Sequence, residues 1–233
     1  MNTDITHVSF DMWNTLITPN REYATQRAKY LAHTSGKSAP EARAIYTHVK
    51  RMADKMAEDF GTQFSVNQLY SILVRALGMT KDVESRAYEI QKTLEYLFIE
   101  HPPELHPELP AVLVALHGKH ITTNVLSNTN FIPGTILEKV ITQPLRKSHG
   151  FWFDSEFYSD QEGIAKPCAD FFGKVTHRGN LSGTGYPWAH NVLHVGDNNI
   201  CDYEGAKAAG MKAQLVTDPA DTVRFLKEHF HVA

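Results

Sequence analysis

Short apolar runs at residues 8–10, 121–126, 192–195 and 213–216 read as strands buried on both faces, and a further strand is expected within 151–158. Between these runs apolar residues recur at helical spacing. The pattern predicts helices over 107–117, near 134–141, and over 168–178, 200–209 and 219–228. Strand–helix alternation at this spacing builds a parallel sheet covered by helices on both faces, so the expected fold class is α/β, a doubly wound parallel sheet.

One block breaks the alternation. From about residue 20 to 100 there is almost no strand signal. Pro40 at the first helical position, followed by Ile45, Val49, Met52, Met56 and Phe60, predicts one helix with a single apolar stripe. Ser65 caps a second that carries Leu69, Ile72, Leu73 and Ala76 and stops at Gly78; Thr80 caps a third with Val83, Ala87, Ile90, Leu94 and Leu97. The proline-rich stretch 101–107 cannot continue a helix and suits a hinge. Residues 1–18 and 101–233 therefore form an α/β core, and 19–100 an all-helical insert after the first strand.

Composition narrows the partners. A chain of 233 residues with 42% hydrophobic and 21% charged residues has enough apolar surface for one sizeable core and a smaller module, which excludes a disordered protein. The longest apolar run, residues 111–116, is far short of the roughly 18 residues a membrane span needs, so no membrane association is expected. The N-terminus lacks the basic segment and apolar core of a secretory signal, and a cytoplasmic location is expected. A net charge of −3 gives no electrostatic footprint for nucleic acid, which leaves a small molecule as partner; nothing specifies an oligomeric state. Cys168 and Cys201 read as packing residues, and histidine pairs such as His117/His120 and His229/His231 lack a metal-selecting pattern.

Ligands of such sheets gather beyond the carboxyl ends of the strands. Asp11-Met-Trp-Asn-Thr15 follows the first strand and Ser127-Asn128 the second core strand; Lys166-Pro167 precedes a helix, and Gly196-Asp-Asn-Asn-Ile-Cys-Asp202 follows the strand at 192–195. Asp11 offers a nucleophile or a hard oxygen ligand. Asp197 and Asp202 add carboxylates that repel one another unless a cation lies among them, and Mg²⁺ suits such a set. Ser127 and Asn128 can hold a substrate oxygen, Lys166 can place a cation on the nucleophile, and Thr15 can fix the loop. Each also has a plainer reading: a turn cap at Asp11 or Ser127–Asn128, a dipole-favoured Asp202, a solvated Lys166.

Together these four segments resemble, in order and spacing, the haloacid dehalogenase-like (HAD) hydrolase superfamily, in the subfamily with a helical cap between the first two motifs. The resemblance runs from Phe10 to about Asp218. It implies a Rossmann-like core and a two-step hydrolysis of a small anionic substrate, in which Asp11 is phosphorylated and then released by water. It also implies Mg²⁺ held by Asp11, the backbone carbonyl of Trp13, Asp197 and Asp202, with Ser127, Asn128, Thr15 and Lys166 around the phosphoryl group. Trp13 departs from the pattern, because phosphatases of this family carry there a second aspartate that protonates the leaving oxygen. Losing such a general acid costs about 10²–10⁴ in rate.

The expected function is therefore a Mg²⁺-dependent phosphatase suited to good leaving groups, or one that takes its proton from elsewhere. Three alternatives stand beside it. A 2-haloacid dehalogenase needs no proton donor, but that branch uses no metal and usually has serine where this chain has Asp197. A phosphonoacetaldehyde hydrolase-like carbon–phosphorus hydrolase needs a cap lysine, drawn from Lys29, Lys37, Lys50, Lys55, Lys81 or Lys92. A non-catalytic binding protein would use Trp13 as a contact. One or two of the insert's aromatics (Tyr23, Tyr30, Tyr46, Phe60, Phe64, Tyr70, Tyr88 and Tyr96) are expected to face the site. The glycine-rich stretch 179–190 lacks the flanking residues of a P-loop and reads as a surface loop.

Overall fold

The computed structural model describes residues 5–178 and 188–232. Its strands are β1 (His7–Phe10), β2 (Ile17–Thr18), β3 (Glu104–Leu105), β4 (Thr122–Ser127), β5 (Ser155–Tyr158), β6 (Val192–Gly196) and β7 (Lys212–Leu215). Five of them form a wholly parallel sheet in the order β5-β4-β1-β6-β7, so the α/β doubly wound class stands. Phe10 lies opposite both Val125 and Val195, which brings the residues that follow β1, β4 and β6 to one edge.

Period-two alternation divides the sheet's side chains between two faces. Val8, Phe10, Val125 and Val195 pack on one side with Leu113, Leu116 and Leu226. On the other, Leu126 and Val192 meet Phe171, Phe172, Val175 and Ala206. That second face also carries a fully buried polar row. Ser9 stands in register between Asn124 and His194, and its hydroxyl meets Asn124 Nδ2 at 3.3 Å and His194 Nδ1 at 2.9 Å.

Four helices fill the long connection between β2 and β3: α1 (Arg21–Ser35), α2 (Ala39–Phe60), α3 (Val66–Ala76) and α4 (Val83–Glu100). They build an apolar cluster of their own around Leu31, Tyr46, Val49, Leu69, Leu73 and Leu94, into which Phe131 inserts from beyond β4. Helix α1 was not singled out by periodicity; Asn20 caps it by accepting from the Glu22 amide. Where the chain passes between the two layers, β2 and β3 pair antiparallel, Ile17 opposite Leu105 and Thr18 opposite Glu104. The expected hinge thus contains a short ribbon.

Several expectations need correction. Ser38, with Glu41, forms a capping box that starts α2 one residue before Pro40. The buried stripe of α2 is Ala42, Tyr46, Val49, Ala53 and Ala57, whereas Met52 and Phe60 are exposed. Small residues pack this face, and Ala53 and Ala57 leave room for a cavity. Thr80 does not cap α4, which starts after Asp82 in a left-handed conformation. The helix expected near 134–141 continues to His149 through a widened turn at Glu138–Thr142, which accommodates Pro144. The run at 213–216 is an edge strand with Leu215 exposed. Among the described residues no helix is long and apolar enough to cross a membrane. Of the stretch 179–190, residues 179–187 lie outside the described residues.

Candidate active site

Asp11 continues β1 by one residue, its amide donating to Val195 O at 2.9 Å. The chain then turns tightly, with Leu16 N and Ile17 N both donating to Met12 O and Asn14 in the left-handed region at φ 55°. Asparagine tolerates that conformation better than most residues. The turn leaves Asn14 free to donate through Nδ2 to Asp197 Oδ2 at 2.9 Å.

Lys166 is buried between two carboxylates. Its Nζ lies 2.7 Å from Asp11 Oδ1 and 2.5 Å from Asp202 Oδ1. Asn128 holds the lysine's backbone from both sides: Lys166 N donates to Asn128 Oδ1 at 2.8 Å, and Asn128 Nδ2 donates to Lys166 O at 2.9 Å. Asn128, expected to hold a substrate oxygen, thus spends its amide oxygen and one amide hydrogen on the Lys166 backbone while still lining the cavity. Asp202 comes from a widened turn, Asn199–Glu204, whose start is capped by Asn198 accepting from Ile200 N and Cys201 N. A Cβ at Gly196 would fall 2.2 Å from Asp202 Cγ, so this carboxylate needs glycine at the end of β6.

Both oxygens of Asp202 are taken. Oδ1 meets Lys166 and His194 Nε2, the latter at 3.2 Å, and Oδ2 accepts from Asn198 N at 2.9 Å. This occupancy argues against the expected use of Asp202 as a direct metal ligand. Asp11 and Asp197 keep oxygens open, and carboxylate oxygens of all three residues lie within 4.8 Å of one another. One lysine among three carboxylates leaves negative charge uncompensated, and hard oxygen donors in this arrangement fit a small divalent cation.

The electrostatics follow from burial and these contacts. Burial pushes Asp11 up to about 7, opposed by Lys166 and reinforced by Asp202 and Asp197. Burial works to lower Lys166, but Asp11 and Asp202 overcome it and hold the ammonium above the ordinary lysine range. Asp202 is the reverse case: burial would raise it, and Lys166 and His194 hold it well below the usual carboxylate range. Asp197 is raised by burial, against the hydrogen bond from Asn14.

Beside these paired groups at the sheet edge lie the hydroxyls of Thr15 and Ser127. Among the described residues, neither Thr15 Oγ1 nor Ser127 Oγ, both buried, has a hydrogen-bond partner. Thr15 thus does not fix the loop through its hydroxyl as expected. An unpaired buried hydroxyl costs about 1–3 kcal/mol, and such groups in a native fold are often completed by a ligand.

A cavity of about 510 Å³ separates the sheet edge from the helices, with Asp11, Trp13, Lys166 and Asp197 on one side and Tyr23, Arg27, Tyr46 and Glu58 on the other. Trp13 stands edge-on to Phe98 at 6.0 Å, part of an aromatic wall that continues from Phe98 to Tyr23. Tyr23 and Tyr46 are the expected aromatics that reach the cavity; Phe60, Tyr88 and Tyr96 are exposed, and Tyr70 is buried beside Phe131. Of the six candidate lysines only Lys50 lines the cavity, and it pairs with Asp54 at 2.8 Å. Asn14, Arg27, His194 and Asn198 were not anticipated. Asn14 and Asn198 stand inside the strand-end segments already singled out, His194 is a lone polar residue inside an apolar strand, and Arg27 had no signal.

A family model for haloacid dehalogenase-like hydrolases matches residues 5–210. No curated protein matches the chain. Among solved structures the chain is similar to the HAD-hydrolase YfnB from Bacillus subtilis bound to magnesium, with a TM-score of 0.66, 18% identity and 97% of each chain covered. It is similar to a HAD phosphatase from Thermococcus onnurineus at a TM-score of 0.63 and 17% identity, over 97% of this chain and 98% of that one. A 2-haloacid dehalogenase from Pseudomonas syringae pv. Tomato DC3000 gives 0.59 and 19%, over 90% and 85%. At these identities the likeness is one of fold.

Proposed function

The chain belongs to the haloacid dehalogenase-like hydrolases, and from that premise we propose that it is a Mg²⁺-dependent phosphatase for a small phosphorylated metabolite, with residues 19–100 as the cap over the site. The observation that carries this reading is the triad Asp11–Lys166–Asp202 with Asp197 alongside and the unpaired hydroxyls of Thr15 and Ser127 nearby.

In this reading Asp11 attacks phosphorus, its new O–P bond replacing the ester bond, and water then cleaves the aspartyl-phosphate to return the free carboxylate. Lys166 orients Asp11 and offsets charge gathering on the transferred group. Thr15 and Ser127 donate to its oxygens, while Asn128 and Asp202 keep Lys166 in place. Asp11, Asp197 and the carbonyl of Trp13 would hold Mg²⁺, which when bound neutralises the phosphoryl oxygens. An indole carries no transferable proton at neutral pH, so the leaving oxygen departs unprotonated from the Trp13 side. Acyl and aryl phosphates suit such a site better than alkyl phosphates.

The test is phosphate release from paired acyl, aryl and alkyl phosphates with and without Mg²⁺, for the wild type and Asp11→Asn. Release that needs both Mg²⁺ and Asp11, faster for acyl and aryl esters, is expected. Trp13 supports a second reading, 2-haloacid dehalogenation, which needs no acid; the buried carboxylate of Asp197 beside the nucleophile speaks against it. Metal-independent halide release from 2-chloropropionate, with no phosphate release, would replace the first reading by the second.

A further inference from the structure

Charged side chains around the cavity are answered by their neighbours, with one exception. Lys166 lies between Asp11 and Asp202, Lys50 holds Asp54, Asp197 accepts from Asn14, and Glu58 Oε1 accepts from Asn198 Nδ2 at 3.2 Å. Arg27, half-buried on α1 and lining the same cavity, pairs with no carboxylate among the described residues. Its guanidinium lies over the Tyr46 ring, Cζ 3.8 Å from the centroid, and 5.0 Å from the centroid of Tyr23. Stacking of this kind orients the planar group while leaving N–H donors at its edge available.

An independent observation points to the same place. Tyr23 Oη is buried and lines the cavity; among the described residues its polar neighbours are the Arg27 guanidinium and the Tyr46 phenol, neither at hydrogen-bond geometry. Tyr46 is itself stacked on Phe131 at 4.4 Å and Tyr23 set edge-on to Phe98 at 5.1 Å, so both rings that flank Arg27 are held from behind. A fixed cation without a carboxylate, flanked by two phenols whose polar neighbours are that cation and each other, is a donor set suited to an oxyanion.

Resting on the phosphatase reading, we infer that Arg27 and Tyr23 form a second anion subsite on the helical wall of the cavity. The substrate is then a small phosphate ester whose far end carries a carboxylate or a second phosphate. Arg27 and Tyr23 set specificity here and take no part in bond cleavage.

Calorimetric binding to the full chain in Mg²⁺ tests this without turnover, using 3-phosphonopropionate, propane-1,3-diphosphonate, butylphosphonate and malonate. In the wild type the two probes with an anionic tail bind at least about tenfold more tightly than butylphosphonate, the scale of a charge-assisted contact. That advantage is lost in Arg27→Met and partly kept in Arg27→Lys. Tyr23→Phe, which retains the ring, loses about threefold of it, the scale of one neutral hydrogen bond. The tighter of the two anionic probes tells carboxylate from phosphate. Equal affinity for all three phosphonates, or an advantage that survives both Arg27 variants, overturns the subsite. Should no phosphonate bind while malonate still binds in an Arg27-dependent way, the phosphatase reading falls and the subsite stands; loss of all four probes sinks both.

Discussion

The two walls of the cavity hold their central cations differently. At the sheet edge Asp11, Lys166, Asp202 and His194 form an unbroken run of contacts, buried and mutually satisfied. On the helical wall Arg27 has the rings and phenols of Tyr23 and Tyr46 beside it but, among the described residues, no carboxylate. Pairing fixes geometry before any ligand arrives, which bond-making groups need; a group left unpaired stores its interaction for whatever enters. In the reading proposed above, rigidity falls to the sheet edge and recognition to the helical wall.

Substitutions at the two cations break that contrast most directly. Lys166→Met leaves Asp11 and Asp202 buried together without a cation and should lower stability by about 3–5 kcal/mol, read from urea unfolding at neutral pH. Arg27→Met forfeits only its stacking on the tyrosines and should cost about 1 kcal/mol or less. Similar losses for both would mean that the walls do not differ in kind.

A smaller effect concerns Trp13. Trp13→Asp should raise turnover of alkyl phosphates about 10²-fold relative to aryl phosphates, because only the former strongly need protonation. Steady-state rates on a matched pair of esters would show it, and an equal change in both would count against a missing acid.

The smallest expected effect lies far from the cavity, at the other end of β1. Burial holds His7 below its ordinary value of 6.5, against the hydrogen bond to Asn124 Oδ1 at 2.7 Å. The unfolded chain therefore takes up a proton first as pH falls. Stability is full above the unfolded value of about 6.5 and is lost as pH drops below it toward the lower folded value. Because Asp11 and Asp197, raised by burial, titrate with the opposite sign in this window, the measure is the difference: the urea midpoint of the wild type relative to that of His7→Gln should fall between pH 8 and 5.5.

The sheet edge was legible from sequence because a parallel sheet ends all its strands on one side, so residues directly after β1, β4 and β6 must converge. Contacts finer than that were not. A Ser-Asn pair after a strand reads alike whether it meets a ligand or, as Asn128 does, clasps the backbone of Lys166. The phase of α2 was misread because apolar weight favours Met52 and Phe60, while the packed face uses alanines that contribute little to a periodic signal. Arg27 sits on a helix with few apolar residues, where nothing local separates a cavity-facing arginine from a solvated one. Strands of two residues, such as β2 and β3, are too short to show alternation.

That two-residue ribbon has an evolutionary corollary. The polypeptide leaves the sheet layer at Thr18 and returns at Glu104, and these residues lie opposite each other. Once two ends are held together, the entropy of closing the chain between them grows only slowly with its length. A module of another size or composition can therefore be exchanged at this point without re-registering a strand. If the proposed subsite holds, bond chemistry and ligand choice are heritable as separate units, joined at this ribbon.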